Sequence, residues 1–256
     1  MFGEDPAVMV SAAERIEREG FFGVDLNFGC SAAAILKKGC GAALLKTPDR
    51  CFQIVDQVRK KVSIPVFVKF RTGWENNVQT AVRLAKEFES AGADLLCFHP
   101  RVAPDRRTRP PQWPHIRYVK EAVTIPVFGN GNIFDAADAR KMFQETGCDG
   151  VSIGRLAVAK PWIFASLAGI PVPSENLYQD TAMRMARLLF THFDETTAVK
   201  LYKKWVPYFA SNFKFSHDIF RKLVSCSDFD SIEKSVESVL KTNPEVALRP
   251  NINLFG

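Results

Sequence analysis

The tightest constraint on this chain is a rhythm. Five short apolar runs, separated by helix-length segments, occupy the first 165 residues: 21–27 (FFGVDLN), 64–70 (IPVFVKF), 94–99 (DLLCFH), 125–130 (IPVFGN) and 149–153 (DGVSI). Each run is nearly continuous, as a strand buried on both faces reads. The intervening segments carry helix punctuation. Asp5 and Pro6 open a helix that Gly20 closes, with Met9, Ala13 and Ile16 on one face. Thr47 and Pro48 repeat the device before Cys51, Ile54, Val55, Val58 and Val62. Val78, Ala81, Val82, Ala85 and Phe88 form a third stripe ending at Gly92, and Asp135 opens a fourth with Ala139, Met142 and Phe143 inward and Gly147 at its end. No internal repeat is evident.

Strands alternating with helices predict a parallel sheet with right-handed crossovers, either a (β/α)8 barrel or an open doubly wound sheet. No GxGxxG follows the first strand. Polar residues instead recur where the strands end: Asn27, Lys69, His99, Asn130 and Gly154-Arg155. A barrel carries its chemistry on that rim, so the pattern favours the barrel. After Pro171-Val-Pro173 the character changes. Met183, Ala186, Leu189, Leu201, Trp205, Phe209, Phe220, Val224, Val236 and Leu240 recur at helical spacing with basic residues between them. The expected organisation is therefore a barrel domain over 1–170 and a small all-α domain over 175–256.

Composition excludes several classes. Hydrophobic residues make up 46% and charged residues 24%, which suits a packed globule rather than a disordered chain. No apolar run approaches the roughly 18 residues of a membrane span, and the start MFGEDPAVMV lacks the basic and apolar regions of a secretory leader. Six scattered cysteines, with no CxxC pair and no Cys/His cluster, argue against disulfides or a metal site and for reduced thiols in the cytoplasm. The net charge of +6 gives a mild lean toward a polyanion. The 175–256 segment itself is nearly balanced, with 11 basic and 10 acidic residues.

Several rim segments carry chemistry. Gly129-Asn130-Gly131-Asn132 and Gly154-Arg155 follow consecutive strands, as do the bare backbone and arginine of a barrel phosphate site. Cys30 lies in a glycine-bearing loop after Asn27, unlike Cys51 and Cys97, which sit on apolar stripes. A cysteine thiol, ordinarily near 8.5 in pKa, is mostly protonated at neutral pH and can donate a proton; nearby lysines could instead make it a nucleophile. Lys69 closing an apolar strand calls for an anion, an acceptor such as a flavin, or a salt bridge at the rim. The 101–117 segment holds five arginines with Trp113 and His115, a combination that can grip phosphates and stack on a base.

Read in order, Asp25-Leu-Asn27-Phe-Gly-Cys30, Lys38-Gly-Cys-Gly-Ala-Ala-Leu-Leu45, Val68-Lys69-Phe-Arg71-Thr-Gly-Trp74, His99-Pro-Arg101, Gly129-Asn-Gly131 and Ile153-Gly-Arg155 resemble the tRNA-dihydrouridine synthase family over about residues 2–165. The resemblance implies an FMN-dependent reduction of a tRNA uridine to 5,6-dihydrouridine, with NADPH as reductant. The hydride would go from reduced FMN to C6 and the proton from Cys30 to C5. It assigns Lys69, His99, Asn130, Gly131, Asn132, Gly154 and Arg155 to the flavin, and Asn27, Lys38, Arg71 and Arg101 to the substrate side. It implies no metal and no membrane, a monomer in the cytoplasm, a flipped target base, and a C-terminal helical domain that holds tRNA. The chain departs from the family pattern at Ser31, Pro100 and Asn132. It also begins near the family's third strand, so five to six barrel strands are expected, with Met1-Phe2-Gly3 a remnant of what precedes them. Two other readings stand beside this one: a truncated homologue that binds RNA or a partner without catalysis, and another FMN barrel such as a dihydroorotate dehydrogenase-like enzyme.

Overall fold

The computed structural model describes residues 1–103, 109–173 and 175–254. In chain order the first part runs α1 (Pro6–Arg18), β1 (Val24–Asn27), α2 (Ala33–Leu36), α3 (Pro48–Arg59), β2 (Val66–Gly73), α4 (Val78–Ser90), β3 (Leu95–Val102), α5 (Pro114–Ala122), β4 (Val127–Asn130), α6 (Ala136–Thr146) and β5 (Gly150–Ser152). All four strand pairings are parallel and the order is β1-β2-β3-β4-β5. That order decides between the two candidate folds. A doubly wound sheet reverses its strand order at a switch point, and among the described residues no reversal occurs. These are five consecutive strands of a (β/α) barrel.

β3 is buried almost throughout, as its apolar run suggests, but β2 is buried unequally on its two faces. On β2, buried Val66, Val68 and Phe70 alternate with half-buried Phe67, Lys69 and Arg71. The fully buried face meets the helices through α3 (Cys51, Ile54, Val55, Val58) and α4 (Ala81, Leu84, Ala85, Phe88). At its centre the Phe88 ring lies 5.6 Å from Phe28 and 5.3 Å from both Phe52 and Phe70. The other face carries the polar ladder. Register puts Asp25 beside Phe67, Asn27 beside Lys69, Lys69 beside Cys97, and Arg71 beside His99. The strand run stays apolar because half the polar positions hold Phe or Cys.

Helix punctuation works as expected at α1, where Asp5 accepts from the Val8 N–H at 3.0 Å. Thr47 makes no side-chain cap bond; Pro48 alone starts α3. Phe143, expected inward, is 41% exposed, because α6 buries Ala139 and Met142 and the next position turns away.

An unexpected repetition appears at the strand entrances. Glu17 Oε1 accepts from Ser63 N at 2.7 Å, Ser63 Oγ at 2.5 Å and Ile64 N at 3.3 Å. Glu89 Oε1 accepts from Thr124 N at 2.7 Å, Thr124 Oγ1 at 2.6 Å and Ile125 N at 3.1 Å. Asp94 then takes the Val66 N–H and Asp149 the Val127 N–H, each at 2.7 Å, and each aspartate carries a cation, Arg59 or Lys120, at 2.8 Å. The sequences SIPVF (63–67) and TIPVF (124–128) are thus two copies of one strand entrance, a repeat the sequence reading did not register.

Two compact units are formed: Met1–Ile133 with Ala137–Ser152, and Phe134–Ala136 with Ile153–Gly256. The second consists of α7 (Arg155–Ala159), α8 (Ile163–Leu167), α9 (Leu177–His192), α10 (Glu195–Ala210), α11 (Ser216–Val224) and α12 (Phe229–Leu240). Its core gathers Met183, Ala186, Tyr202, Trp205, Val206, Phe209 and Val236, with Leu189, Phe220, Val224 and Leu240 partly buried against it. Hydrogen bonds from Trp205 Nε1 to Val158 O (3.0 Å) and from Asn212 Nδ2 to Ala159 O (2.8 Å) bind α7 into this unit. Composition alone puts the change of character later, after Pro173.

Candidate active site

The loop after β1 is tied down by several hydrogen bonds. Asn27 Oδ1 accepts from both Gly29 N and Cys30 N at 3.0 Å, so the strand's last side chain closes the turn that follows it. Gly29 O accepts from Arg71 Nε at 2.6 Å, while Arg71 Nη1 reaches Val102 O at 3.3 Å. Cys30 O accepts from Ala42 N at 2.9 Å. Five of the six cysteines are buried; Cys30 is half-buried, the most accessible thiol of the chain. The segment that meets it, Gly41–Lys46, is a 3-10 turn entered through Gly39 (φ +70°) and Gly41 (φ +61°). A Cβ on Gly41 would lie 2.7 Å from Cys30 O, so only glycine lets this strap approach so closely. Lys38, assigned to the substrate side, is exposed at the strap's start.

Below the loop, the polar ladder places Lys69 level with Asn27 and Cys97. Burial pushes the Asp25 carboxyl up, against the pull of the chain's amino terminus and Lys69. Burial likewise raises the Cys97 thiol, opposed by Lys69 and a hydrogen bond with Ser152. Cys97, which the sequence placed on an apolar stripe, therefore sits on the ladder face beside a lysine. Its burial at 6% exposure still fits an inert thiol.

The GNGN segment is held as tightly. Asn130 Nδ2 donates to Ser152 O at 2.6 Å, Gly131 O accepts from Trp113 Nε1 at 2.9 Å, and Asn132 Oδ1 accepts from Arg101 Nη2 at 3.2 Å. Gly131 has φ +116°, and a Cβ there would stand 2.9 Å from His99 Cδ2 and 3.0 Å from Nε2. His99 and Gly131 thus touch across adjacent strands. Arg101, expected near the substrate, is 4% exposed. Trp113, expected to stack on a base, turns its N–H onto Gly131 O. Burial lowers the His115 pKa. Arg106 and Arg107 of the same arginine-rich segment lie outside the described residues.

Asn27, Cys30, Lys69, Arg71, His99, Arg101, Asn130, Gly131 and Asn132 all belong to the first unit; Gly154 and Arg155 begin α7 in the second. A Cβ on Gly154 would meet nothing within 4 Å. Three residues that bear on the site were not singled out for these roles: Asp25 by its place on the ladder, and Trp74 and Trp113 by their indole N–H groups. Among the described residues, no group of three or more His, Cys, Asp or Glu side chains could hold a metal ion. No helix among them is long and apolar enough to cross a membrane.

An unreversed parallel sheet with its polar side chains collected on one face and rim is an α/β protein of the barrel class, built to act on something held at the C-terminal strand ends. Comparison with known proteins narrows the class. Residues 1–223 match the family described as dihydrouridine synthase (Dus), and the chain belongs to that family. The tRNA-dihydrouridine synthase B of Pseudomonas aeruginosa is 35% identical over 214 residues, covering 81% of this chain and 64% of the relative. A probable tRNA-dihydrouridine synthase of Mycobacterium tuberculosis is 34% identical over 256 residues, 95% of this chain and 66% of its own length. One of Rickettsia conorii is 31% identical over 255 residues, 94% of this chain and 76% of the relative. The chain thus spans about two thirds of the length of the relatives it matches.

Proposed function

We propose that this chain serves the flavin-dependent reduction of a tRNA uridine to 5,6-dihydrouridine. The observation that carries the reading is the Cys30 loop: an accessible thiol, fixed by Asn27, Arg71 and Ala42, at the rim where Lys69 and His99 emerge. The rim suits an electron-rich, anionic cofactor such as FMN. Lys69, Arg71, His99 and Asn130 offer cations or hydrogen-bond donors.

When bound, FMN supplies a hydride that NADPH replenishes. The chain's own residues do the rest. Cys30 Sγ would hold a proton and deliver it to C5 of the uracil as the hydride reaches C6, leaving a thiolate that solvent reprotonates. Asn27 fixes Sγ by fixing the backbone on both sides of Gly29. Lys69 and His99 would hold the cofactor, with His99 positioned by Gly131. Asn130 and Asn132 would complete the cofactor's setting, and Lys38 and Arg101 would border the base. A uracil inside a folded tRNA reaches the rim only if it is extruded, and the helical unit is proposed to bind the RNA.

The test is reconstitution. Chain incubated with FMN and desalted is expected to keep a flavin absorption band, and Lys69→Met is expected to lose it. Wild-type chain that keeps no flavin from a saturating solution contradicts the reading.

A further inference from the structure

We infer that Trp74 and Trp113 are positioning residues that hold, through their indole N–H groups, the two loops on which the proposed reaction depends. The inference rests on that reading for its chemistry but not for its geometry. Trp74 Nε1 donates to Ala42 O at 2.8 Å, and the Ala42 N–H donates to Cys30 O at 2.9 Å. Ala42 is therefore a bridge of one peptide's width between an indole and the backbone of the reactive cysteine. The Lys46 ammonium sits 4.0 Å from the centre of the Trp74 ring, clamping the indole from the far end of the same strap. Trp113 does the equivalent on the other side of the rim. Its N–H meets Gly131 O at 2.9 Å, and Gly131 is the residue against which His99 packs.

Both indoles act on carbonyls of segments forced through left-handed glycines, Gly41 at φ +61° and Gly131 at φ +116°. Glycine enters such backbone freely, so hydrogen bonds rather than steric preference hold these segments in place. A carbonyl in such a segment is held most firmly by a donor that stays put. An indole N–H on a large packed ring is such a donor, because it has no competing acceptor chemistry and few rotamers. Trp74 then governs how firmly Cys30 is presented, and Trp113 how firmly His99 and the GNGN backbone meet the cofactor. Each has its own loop, so the two effects are separable.

The separation is the experiment. In full-length chain, Trp74→Phe and Trp113→Phe are each compared with wild type by two readouts: the rate of iodoacetamide alkylation at Cys30, with Cys30→Ser as blank, and the dissociation constant for FMN. Losing one neutral hydrogen bond changes an equilibrium by roughly fivefold. Trp74→Phe is expected to alkylate about fivefold faster and to bind FMN within about twofold of wild type. Trp113→Phe is expected to bind FMN about fivefold more weakly and to alkylate within about twofold of wild type. Trp74→Tyr, which keeps aromatic surface under Lys46, is run alongside so that a folding defect in one variant does not decide the outcome, and it is expected to follow Trp74→Phe. Alkylation unchanged in both Trp74 variants, or both readouts moving together in both tryptophan variants, overturns the inference. Wild-type chain that does not bind FMN overturns the proposed function instead, while the alkylation arm still decides the role of Trp74.

Discussion

Gly131→Ala concentrates the reasoning on one carbon atom. The residue has φ +116°, outside the region open to a side chain, at a cost of about 1–3 kcal/mol. The added Cβ would stand 2.9 and 3.0 Å from two atoms of the His99 ring and 3.1 Å from Pro111 Cβ. The ring must leave its rotamer, adding about 0.5–1.5 kcal/mol. The total is about 2–4 kcal/mol, which for a protein of this size lowers the melting temperature by roughly 5–15 °C. Two controls separate the contributions. Gly147→Ala carries the backbone strain alone, since φ is +65° with nothing within 4 Å of its Cβ, and is expected to cost about 1–2 kcal/mol. Gly154→Ala has neither strain nor contact and is expected to melt with wild type. Thermal melts give the order, and FMN titration adds the functional arm: Gly131→Ala alone among these should both melt early and bind flavin weakly through displaced His99. Gly131→Ala melting within about 2 °C of wild type, or no worse than Gly147→Ala, refutes the close approach.

Other consequences are equally direct. Phe88→Ala removes the ring shared by Phe28, Phe52 and Phe70 and should cost about 3–5 kcal/mol in denaturant unfolding. Hydrogen bonds from Ser63 hold the Glu17 carboxyl below its usual 4.5. A depressed carboxylate contributes stability above its unfolded pKa and loses it as pH falls through the folded value. Glu17→Gln should therefore lower the unfolding midpoint at pH 7 and match wild type near pH 3; an equal deficit at both pH values speaks against the charge. Native chain should take one equivalent of iodoacetamide, at Cys30, and the remaining cysteines only in denaturant; burial pushes the Cys51 thiol up to about 12. Mass spectrometry of the labelled peptides checks this.

What could be read from sequence was what repeats along it. Apolar runs and Pro/Gly punctuation placed five strands and their helices, and the common polar strand ends pointed to the barrel rim. The roles of individual rim residues were less legible. Asn27, Arg71 and Arg101 are polar residues at strand ends, the usual mark of ligand contacts, yet the atoms described spend hydrogen bonds on Gly29, Cys30, Val102 and Asn132. Unpaired carbonyls in left-handed turns demand donors from distant segments, and no local pattern announces which side chain answers. Trp113 shows this plainly: an aromatic among arginines reads as a stacking platform, but its N–H is needed by Gly131 O, 18 residues away. The twin entrances at SIPVF and TIPVF were visible as text. Their common function lay in Glu17 and Glu89, too far upstream for the match to suggest it.

In the proposed reaction Cys30 is the proton donor for uracil reduction at a flavin-bearing rim. Flavin-loaded wild-type chain and Cys30→Ala, each given NADPH and tRNA lacking the modification, test it by direct nucleoside analysis. The expected result is dihydrouridine from the wild type, none from Cys30→Ala, and equal flavin content in both. Dihydrouridine formed equally by Cys30→Ala, or none from flavin-loaded wild type, contradicts it.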